Sequence, residues 1–102
     1  MALHCIASIT DIPSGEARAF DVSGRRIAVF NRDGKFHAID DTCPHEGGPL
    51  SEGMVEDDCV TCPWHGAMFE LCTGKEQTSV ASEDVHRYAI AVSGDDLSVE
   101  IE

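Results

Sequence analysis

The stretch Asp41–His65, DTCPHEGGPLSEGMVEDDCVTCPWH, is the part of the sequence that most constrains its fold. It holds two short motifs, Cys43-Pro44-His45 and Cys62-Pro63-Trp64-His65, with sixteen residues between them. Each motif offers one thiol and one imidazole at a spacing that a turning loop can direct toward one ligand. The prolines restrict the backbone after each cysteine, and nearby glycines let backbone N–H groups approach a ligand closely. Two soft thiolates with two imidazoles suit zinc or an iron–sulfur cluster.

The order of these four residues along the chain narrows the choice between zinc and an iron–sulfur cluster. A C₂H₂ zinc finger orders its ligands Cys, Cys, His, His around a helix, whereas here the order is Cys, His, Cys, His without a helical pattern. The arrangement resembles the Rieske family, in which two cysteines bind one iron of a [2Fe–2S] cluster and two histidines bind the other. The resemblance implies that Cys43 and Cys62 hold the inner iron and that His45 and His65 hold the outer one. A zinc-stabilised interaction module is the alternative.

The resemblance extends beyond the four ligands. Val29–Asp40 resembles the strand pair that leads into the first loop, and Cys43–Gly53, CPHEGGPLSEG, is similar to the first loop of bacterial Rieske ferredoxins. CPWHGAMFEL, at 62–71, resembles their second loop and exit strand. It implies a fold in which both motifs lie on neighbouring hairpin loops at one end.

Alternating apolar residues and turn signals predict an all-β chain without helices. The expected strands are Leu3–Ile9, Ala17–Val22, Arg26–Phe30, Lys35–Asp40, Ala67–Leu71, Val85–Val92 and Leu97–Ile101. With the resemblance, this gives a Rieske-like antiparallel β-sandwich or barrel, a single domain over 1–102. Its cluster-binding subdomain has two hairpin loops, at about 41–53 and 59–68. In the first strand, Cys5 falls on the predicted buried face and is expected to be a small core residue.

Charge and hydropathy exclude several classes of partner. The chain of 102 residues has 7 Lys+Arg and 19 Asp+Glu, a formal net charge of −12. This charge repels nucleic acid and anionic membranes and favours basic protein surfaces. No apolar run approaches the roughly 20 residues of a membrane span. The start lacks a signal-peptide pattern, so we expect a cytoplasmic protein with reduced thiols.

Two positions near the motifs bear on the redox potential. Rieske proteins of respiratory complexes carry two further cysteines that link the loops by a disulfide, and the matching positions here are Gly48 and Trp64. After His65 come Gly66 and Ala67, which lack hydroxyls to donate to sulfur. The resemblance therefore implies a potential at the low end of the Rieske range, about −150 mV. Cys59 and Cys72 are expected to be non-ligand thiols, with a disulfide between them left open.

The chemistry available is electron transfer, since nothing in the sequence resembles a substrate site, a flavin site or a nucleotide loop. The resemblance implies a soluble Rieske-type ferredoxin, not itself an enzyme. Such a protein carries single electrons from a flavin-dependent NAD(P)H ferredoxin reductase to a terminal, often ring-hydroxylating, oxygenase. The alternative on the same fold is the small subunit of an assimilatory nitrite reductase. Many such subunits lack the ligands, and all four are present here.

Overall fold

The computed structural model describes residues 2–44, 47–64, 66–78 and 83–101. These residues form short antiparallel strands and two 3₁₀ turns, so the expected all-β class is confirmed. The strands are β1 (Ala2–Ser8), β2 (Ala17–Val22), β3 (Arg25–Arg32), β4 (Lys35–Asp40), β5 (Met54–Glu56), β6 (Cys59–Thr61), β7 (Met68–Glu70), β8 (Arg87–Tyr88), β9 (Ile90–Ser93) and β10 (Asp96–Ile101).

Three sheets pack as layers around β3. The sheet orders are β1-β10-β9, β2-β3-β4-β8 and β5-β6-β7. Ile27 and Val29 of β3 pack with Leu97 and Val99 of β10 in one apolar core. Ala28 and Phe30 point to the opposite face and join a second core with the β5-β6-β7 sheet. Because both faces of β3 are covered, its apolar residues run continuously instead of alternating with polar ones.

Two-residue turns join the central strands. Ser23 (φ 50°) and Gly24 (φ 79°) connect β2 to β3, and Asp33 (φ 53°) and Gly34 (φ 89°) connect β3 to β4. Positive φ at both central positions defines the hairpin turn whose twist matches that of the flanking strands. These turns fix the register that carries β4 directly into the first cysteine loop.

The prediction that Cys5 is a core residue is wrong, because its side chain is exposed. Cys5 is opposite Ser98 on β10, whereas its neighbour His4 is opposite the buried Val99. The pairing register shifts between Cys5 and Ala7, so Ile6 packs against the core and the simple alternation fails. A bulge of this kind changes which residues face inward.

The predicted strand Val85–Val92 is divided in two. β8 pairs with β4 in one sheet, whereas β9 pairs with β10 in another. The division falls at Ala89, whose carbonyl oxygen accepts a hydrogen bond from the N–H of Glu100 at 2.9 Å. The chain thus passes between sheets without a turn signal in the sequence.

Asp41 fixes the base of the first loop to the central sheet. Its side chain is 1% exposed and accepts hydrogen bonds from Arg26 Nε at 3.0 Å and from the Ser51 N–H at 2.7 Å. Its backbone N–H donates to the Arg26 carbonyl at 3.0 Å, and its carbonyl accepts from the Leu50 N–H at 2.6 Å. The hydrogen bond to Asp41 is the main reason that the pKa of Arg26 is raised.

We predict that Asp41→Ala lowers the free energy of unfolding by about 3 kcal/mol, because it removes two hydrogen bonds to a buried charged acceptor and leaves the partly buried N–H of Ser51 unpaired. Asp21 pairs with the same arginine at 3.5 Å but is exposed. The control Asp21→Ala should therefore cost less than about 0.5 kcal/mol. Anaerobic urea unfolding measures both, and equal losses would contradict the role given to Asp41.

Candidate metal centre

The first cysteine lies in a loop closed by successive backbone contacts. Thr42 and Pro49 form a β-bridge at its base. Above this bridge, the N–H of Cys43 donates to the carbonyl of Gly48 at 2.9 Å, and the N–H of Gly47 donates to the carbonyl of Cys43 at 2.8 Å. Gly47 has φ of 80°, a conformation that glycine adopts without strain.

The second cysteine lies in a loop of the same construction at the tip of the β6–β7 hairpin. The N–H of Cys62 donates to the carbonyl of Ala67 at 2.7 Å, and the N–H of Gly66 donates to the carbonyl of Cys62 at 3.2 Å. Gly66 has φ of 77°. In each loop the cysteine N–H donates to the carbonyl of the fifth residue after it, and the cysteine carbonyl accepts from the N–H of the fourth residue after it. The two hairpin loops expected from the sequence are therefore present, and each holds its cysteine in an equivalent position.

The two loops meet at Gly48. A Cβ atom added there would lie 2.7 Å from Sγ of Cys62 and 3.1 Å from Cγ of Trp64. The position thus has room for a hydrogen atom only, and the exposed indole of Trp64 covers it. Gly48 and Trp64, the two positions that match the disulfide of respiratory Rieske proteins, are in fact neighbours across the loops.

The cysteine side chains are withdrawn from solvent. Cys43 is 1% exposed and Cys62 is 2% exposed, and both belong to one apolar cluster with Leu50, Val60 and Phe69. His45 and His65, the other two predicted ligands, lie outside the described residues. Within the described part of the chain, the loops therefore place two buried thiols in one apolar cluster, and thiols are soft donors of the kind an iron–sulfur cluster uses.

The remaining cysteines lie away from these loops' tips. Cys59 is opposite Glu70 in the β6–β7 ladder, and Cys72 is exposed just beyond β7. Both are thiols, not a disulfide. Burial raises the pKa of the Cys59 thiol, and the carboxylates of Glu70, Asp57 and Asp58 raise it further. Cys59 is accordingly a poor thiolate donor.

The other histidines also lie apart from the two loops. His4 is on β1, His37 is on β4, and His86 stacks edge-on against Tyr88 with ring centroids 4.6 Å apart. Burial is the main cause that lowers the pKa of His37. Sequence reasoning missed the contribution of Asp41, since no local pattern connects it to Arg26 and Ser51.

The chain belongs to the Rieske [2Fe–2S] domain family, whose model matches residues 2–89. The family binds a [2Fe–2S] cluster, which the paired cysteine loops fit. The expected family and cofactor are therefore confirmed.

Relatives within this family include electron-transfer proteins. The chain is 42% identical over 94 residues, 91% of its length and 88% of the relative's, to the 3-phenylpropionate/cinnamic acid dioxygenase ferredoxin subunit of Escherichia coli (strain K12). A complex of reduced oxygenase and oxidized ferredoxin in carbazole 1,9a-dioxygenase contains a chain with 28% identity and a TM-score of 0.88, covering 98% of this chain and 97% of that one.

Other solved structures share the fold at lower identity. The ferredoxin of carbazole 1,9a-dioxygenase from Nocardioides aromaticivorans IC177 aligns over 100% of both chains with a TM-score of 0.93 and 24% identity. A putative NADH-dependent nitrite reductase small subunit from Mycobacterium tuberculosis aligns over 96% of this chain and 93% of that one, with a TM-score of 0.88 and 22% identity. The fold alone therefore does not separate the two functional classes.

Among the described residues, no helix has the length and apolar character needed to cross a membrane.

We predict that Gly48→Ala abolishes or strongly reduces cluster incorporation, because its methyl group would overlap Sγ of Cys62. Iron content and visible absorbance of the purified protein measure this. The matched control is Gly66→Ala, where an added Cβ meets open space at φ of 77°. The control should retain the cluster and lose only about 1–2 kcal/mol of stability to backbone strain. A fully loaded Gly48→Ala protein would contradict the steric argument.

Proposed function

We propose that residues 1–102 form one Rieske domain that acts as a cytoplasmic ferredoxin, an electron carrier and not an enzyme. It would receive single electrons from a flavin-dependent NAD(P)H reductase and deliver them to a terminal, ring-hydroxylating oxygenase. The observation that carries the proposal is the pair of buried cysteines, Cys43 and Cys62, on matched loops. The 42% identical relative, named as the ferredoxin subunit of a dioxygenase, supports the biological setting.

Each loop would supply one cysteine and one histidine to the cluster. Cys43 and Cys62 would bind one iron through their thiolates, and His45 and His65 would bind the other through their imidazoles. When bound, the cluster supplies a site that accepts and releases one electron. The residues around the cysteines exclude water from the inner side, since Leu50 and Val60 are fully buried beside them. The backbone hydrogen bonds of each loop would position both cysteines for the cluster.

A low potential is the expected consequence of the loop composition. Gly48 and Trp64 make an apolar contact where respiratory relatives have a disulfide, and Ala67 offers no hydroxyl donor. Fewer donors to sulfur stabilise the reduced, more negative cluster less, so the proposed potential is about −150 mV. Such a value suits a carrier that is reduced by a flavoprotein.

Two alternatives make different predictions. A zinc-stabilised module would be colourless, whereas a Rieske cluster is coloured. A nitrite reductase small subunit shares the fold, but the four ligand residues and the dioxygenase-type relative favour the ferredoxin. Activity with a flavoprotein reductase, in the absence of other subunits, separates the carrier from an accessory subunit.

The proposed exchange surface is the tip of the two loops. Pro44, Pro63 and Trp64 are exposed there, with Trp64 56% exposed. The segment between the motifs adds exposed carboxylates at Glu52, Glu56, Asp57 and Asp58. A carrier that meets two partners in turn needs small, transient contacts, and its acidity would speed encounter with basic surfaces.

We predict two irons and two sulfides per chain in the purified protein. Cys43→Ser and Cys62→Ser should each lose the cluster and destabilise both loops, because metal binding is coupled to folding. Cys5→Ser is the matched control and should retain full colour, since Cys5 is exposed on β1. Elemental analysis and visible spectroscopy measure these outcomes. One equivalent of zinc and no visible absorption, in protein from a host with ample iron, would reject the proposal.

We also predict that electron transfer to the chain from a flavoprotein reductase slows as salt rises at constant pH. Screening shortens electrostatic attraction to about 8 Å at 0.15 M ionic strength. Glu46 follows the proposed ligand His45 in the sequence. Stopped-flow reduction of the wild type and of Glu46→Gln tests the prediction, with the variant slower at low salt only. A second-order rate constant that does not change with salt would leave the acidity as a determinant of solubility alone.

A further inference from the structure

The few basic residues of this acidic chain are mostly paired. The ion pairs are Arg18 with Glu16 at 3.0 Å, Arg26 with Asp41 at 3.0 Å and Arg32 with Asp58 at 3.7 Å. Arg25 donates to the hydroxyl of Tyr88 at 3.2 Å. Within the described residues, Lys35, Lys75 and Arg87 form no ion pair, although the chain has 19 acidic residues. In such an acidic chain, these cations mark places on the surface where a negatively charged partner could bind.

Lys35 and Arg87 line the same groove, which lies between β4 and β9 and has a volume of about 320 Å³. Its apolar lining includes Phe36, Ile90 and Val92, and Val92 is 50% exposed. Lys35 and His37 also line a second cavity with Arg32, Asp33 and Asp58, where charges of both signs meet. Burial is the main cause that lowers the pKa of His37. The positive charges of Arg87, Lys35 and Arg32 lower this pKa further, and the negative charge of Asp58 raises it. The groove thus has both apolar side chains, Phe36, Ile90 and Val92, and two cations, Lys35 and Arg87, among its lining residues.

The backbone on both sides of this groove is that of an open strand edge. At the end of β4, the N–H of Asp40 donates to the carbonyl of His86, on the side away from β3. The N–H of the next residue, Asp41, donates to the carbonyl of Arg26 on β3. Because antiparallel ladders alternate, the peptide groups of Phe36 point away from β3, toward the side that β8 covers only at Ala38 and Ile39.

The facing edge of β9 follows the same rule. Ala89 accepts from Glu100 on β10, so the N–H and C=O groups of Ile90 and Val92 point outward from that sheet. No strand among the described residues pairs with either edge here. The passage of the chain between sheets at Ala89 therefore leaves two edges facing one groove.

We propose that this groove binds an extended acidic segment of a partner protein, which adds as a strand along β9. Alternate side chains of a strand point to opposite faces, so one set of apolar residues would enter the groove while the carboxylates meet Lys35 and Arg87. A long nucleic acid or a second copy of this chain, with its net charge of −12, would be repelled by the rest of the surface. A short acidic segment meets only the local positive rim.

The binding site is independent of the electron-carrier function, because its residues do not belong to the cysteine loops.

The probe is a fluorescein-labelled decapeptide of alternating Glu and Val or Leu, titrated with the holoprotein and followed by fluorescence anisotropy. We expect saturable binding to the wild type at low salt. The double variant Lys35→Glu/Arg87→Glu should bind about tenfold or more weakly, since two attractive pairs become repulsive.

The matched control is Arg18→Glu/Lys75→Glu, which makes the same change in net charge at exposed cations outside the groove. It should bind within about twofold of the wild type. A second peptide, with proline at the positions that donate N–H groups, should lose binding because strand addition needs those donors.

Three results would overturn the proposal. One is absence of saturable binding to the wild type, and another is equal weakening by the two double variants, which would reflect net charge alone. The third is a single-stranded oligonucleotide that binds more tightly than the peptide with the same dependence on Lys35 and Arg87. That result would identify a polyanion site instead of a strand-binding groove.

Discussion

The close approach of Gly48 to Sγ of Cys62 is the constraint on which the candidate metal centre depends. The two loops place Cys43 and Cys62 in one apolar cluster, and a Cβ atom added at Gly48 would lie only 2.7 Å from Sγ of Cys62. Respiratory relatives hold the corresponding positions with a disulfide. Here the contact of Trp64 with Gly48 lies at that place, so side-chain packing holds the two loops against each other, while backbone hydrogen bonds close each loop on itself.

The first loop is positioned by the buried central strand β3, because it follows β4, which pairs with β3. Both faces of β3 are buried, and its register with β4 fixes where the first loop begins. Asp41 then connects β3 to the loop base through Arg26 and Ser51. The same layering exposes an edge on the other side, where β8 ends and β9 joins the β1-β10-β9 sheet. The rigid support and the open groove are thus two results of one topology.

The family and most of the strands could be predicted because their signals are local. Cysteine spacing, alternation and turn residues need no knowledge of distant contacts. Other features depend on long-range pairing that no local pattern reports. A bulge near Ile6 exposes Cys5, and a continuous apolar pattern conceals the change of sheet at Ala89. The partners of Asp41 are 15 and 10 residues away along the chain and are known only from the fold.

The central claim is mixed ligation, with Cys43 and Cys62 on one iron and two histidine nitrogens on the other. Electron–nuclear double resonance on the reduced protein, labelled with ¹⁵N only in histidine, tests it most directly. The predicted result is strong hyperfine coupling to two nitrogen nuclei, one of which disappears in each of His45→Cys and His65→Cys if the variant retains a cluster. A reduced cluster without coupling to histidine nitrogen, or a protein without any paramagnetic centre after reduction, would contradict the claim.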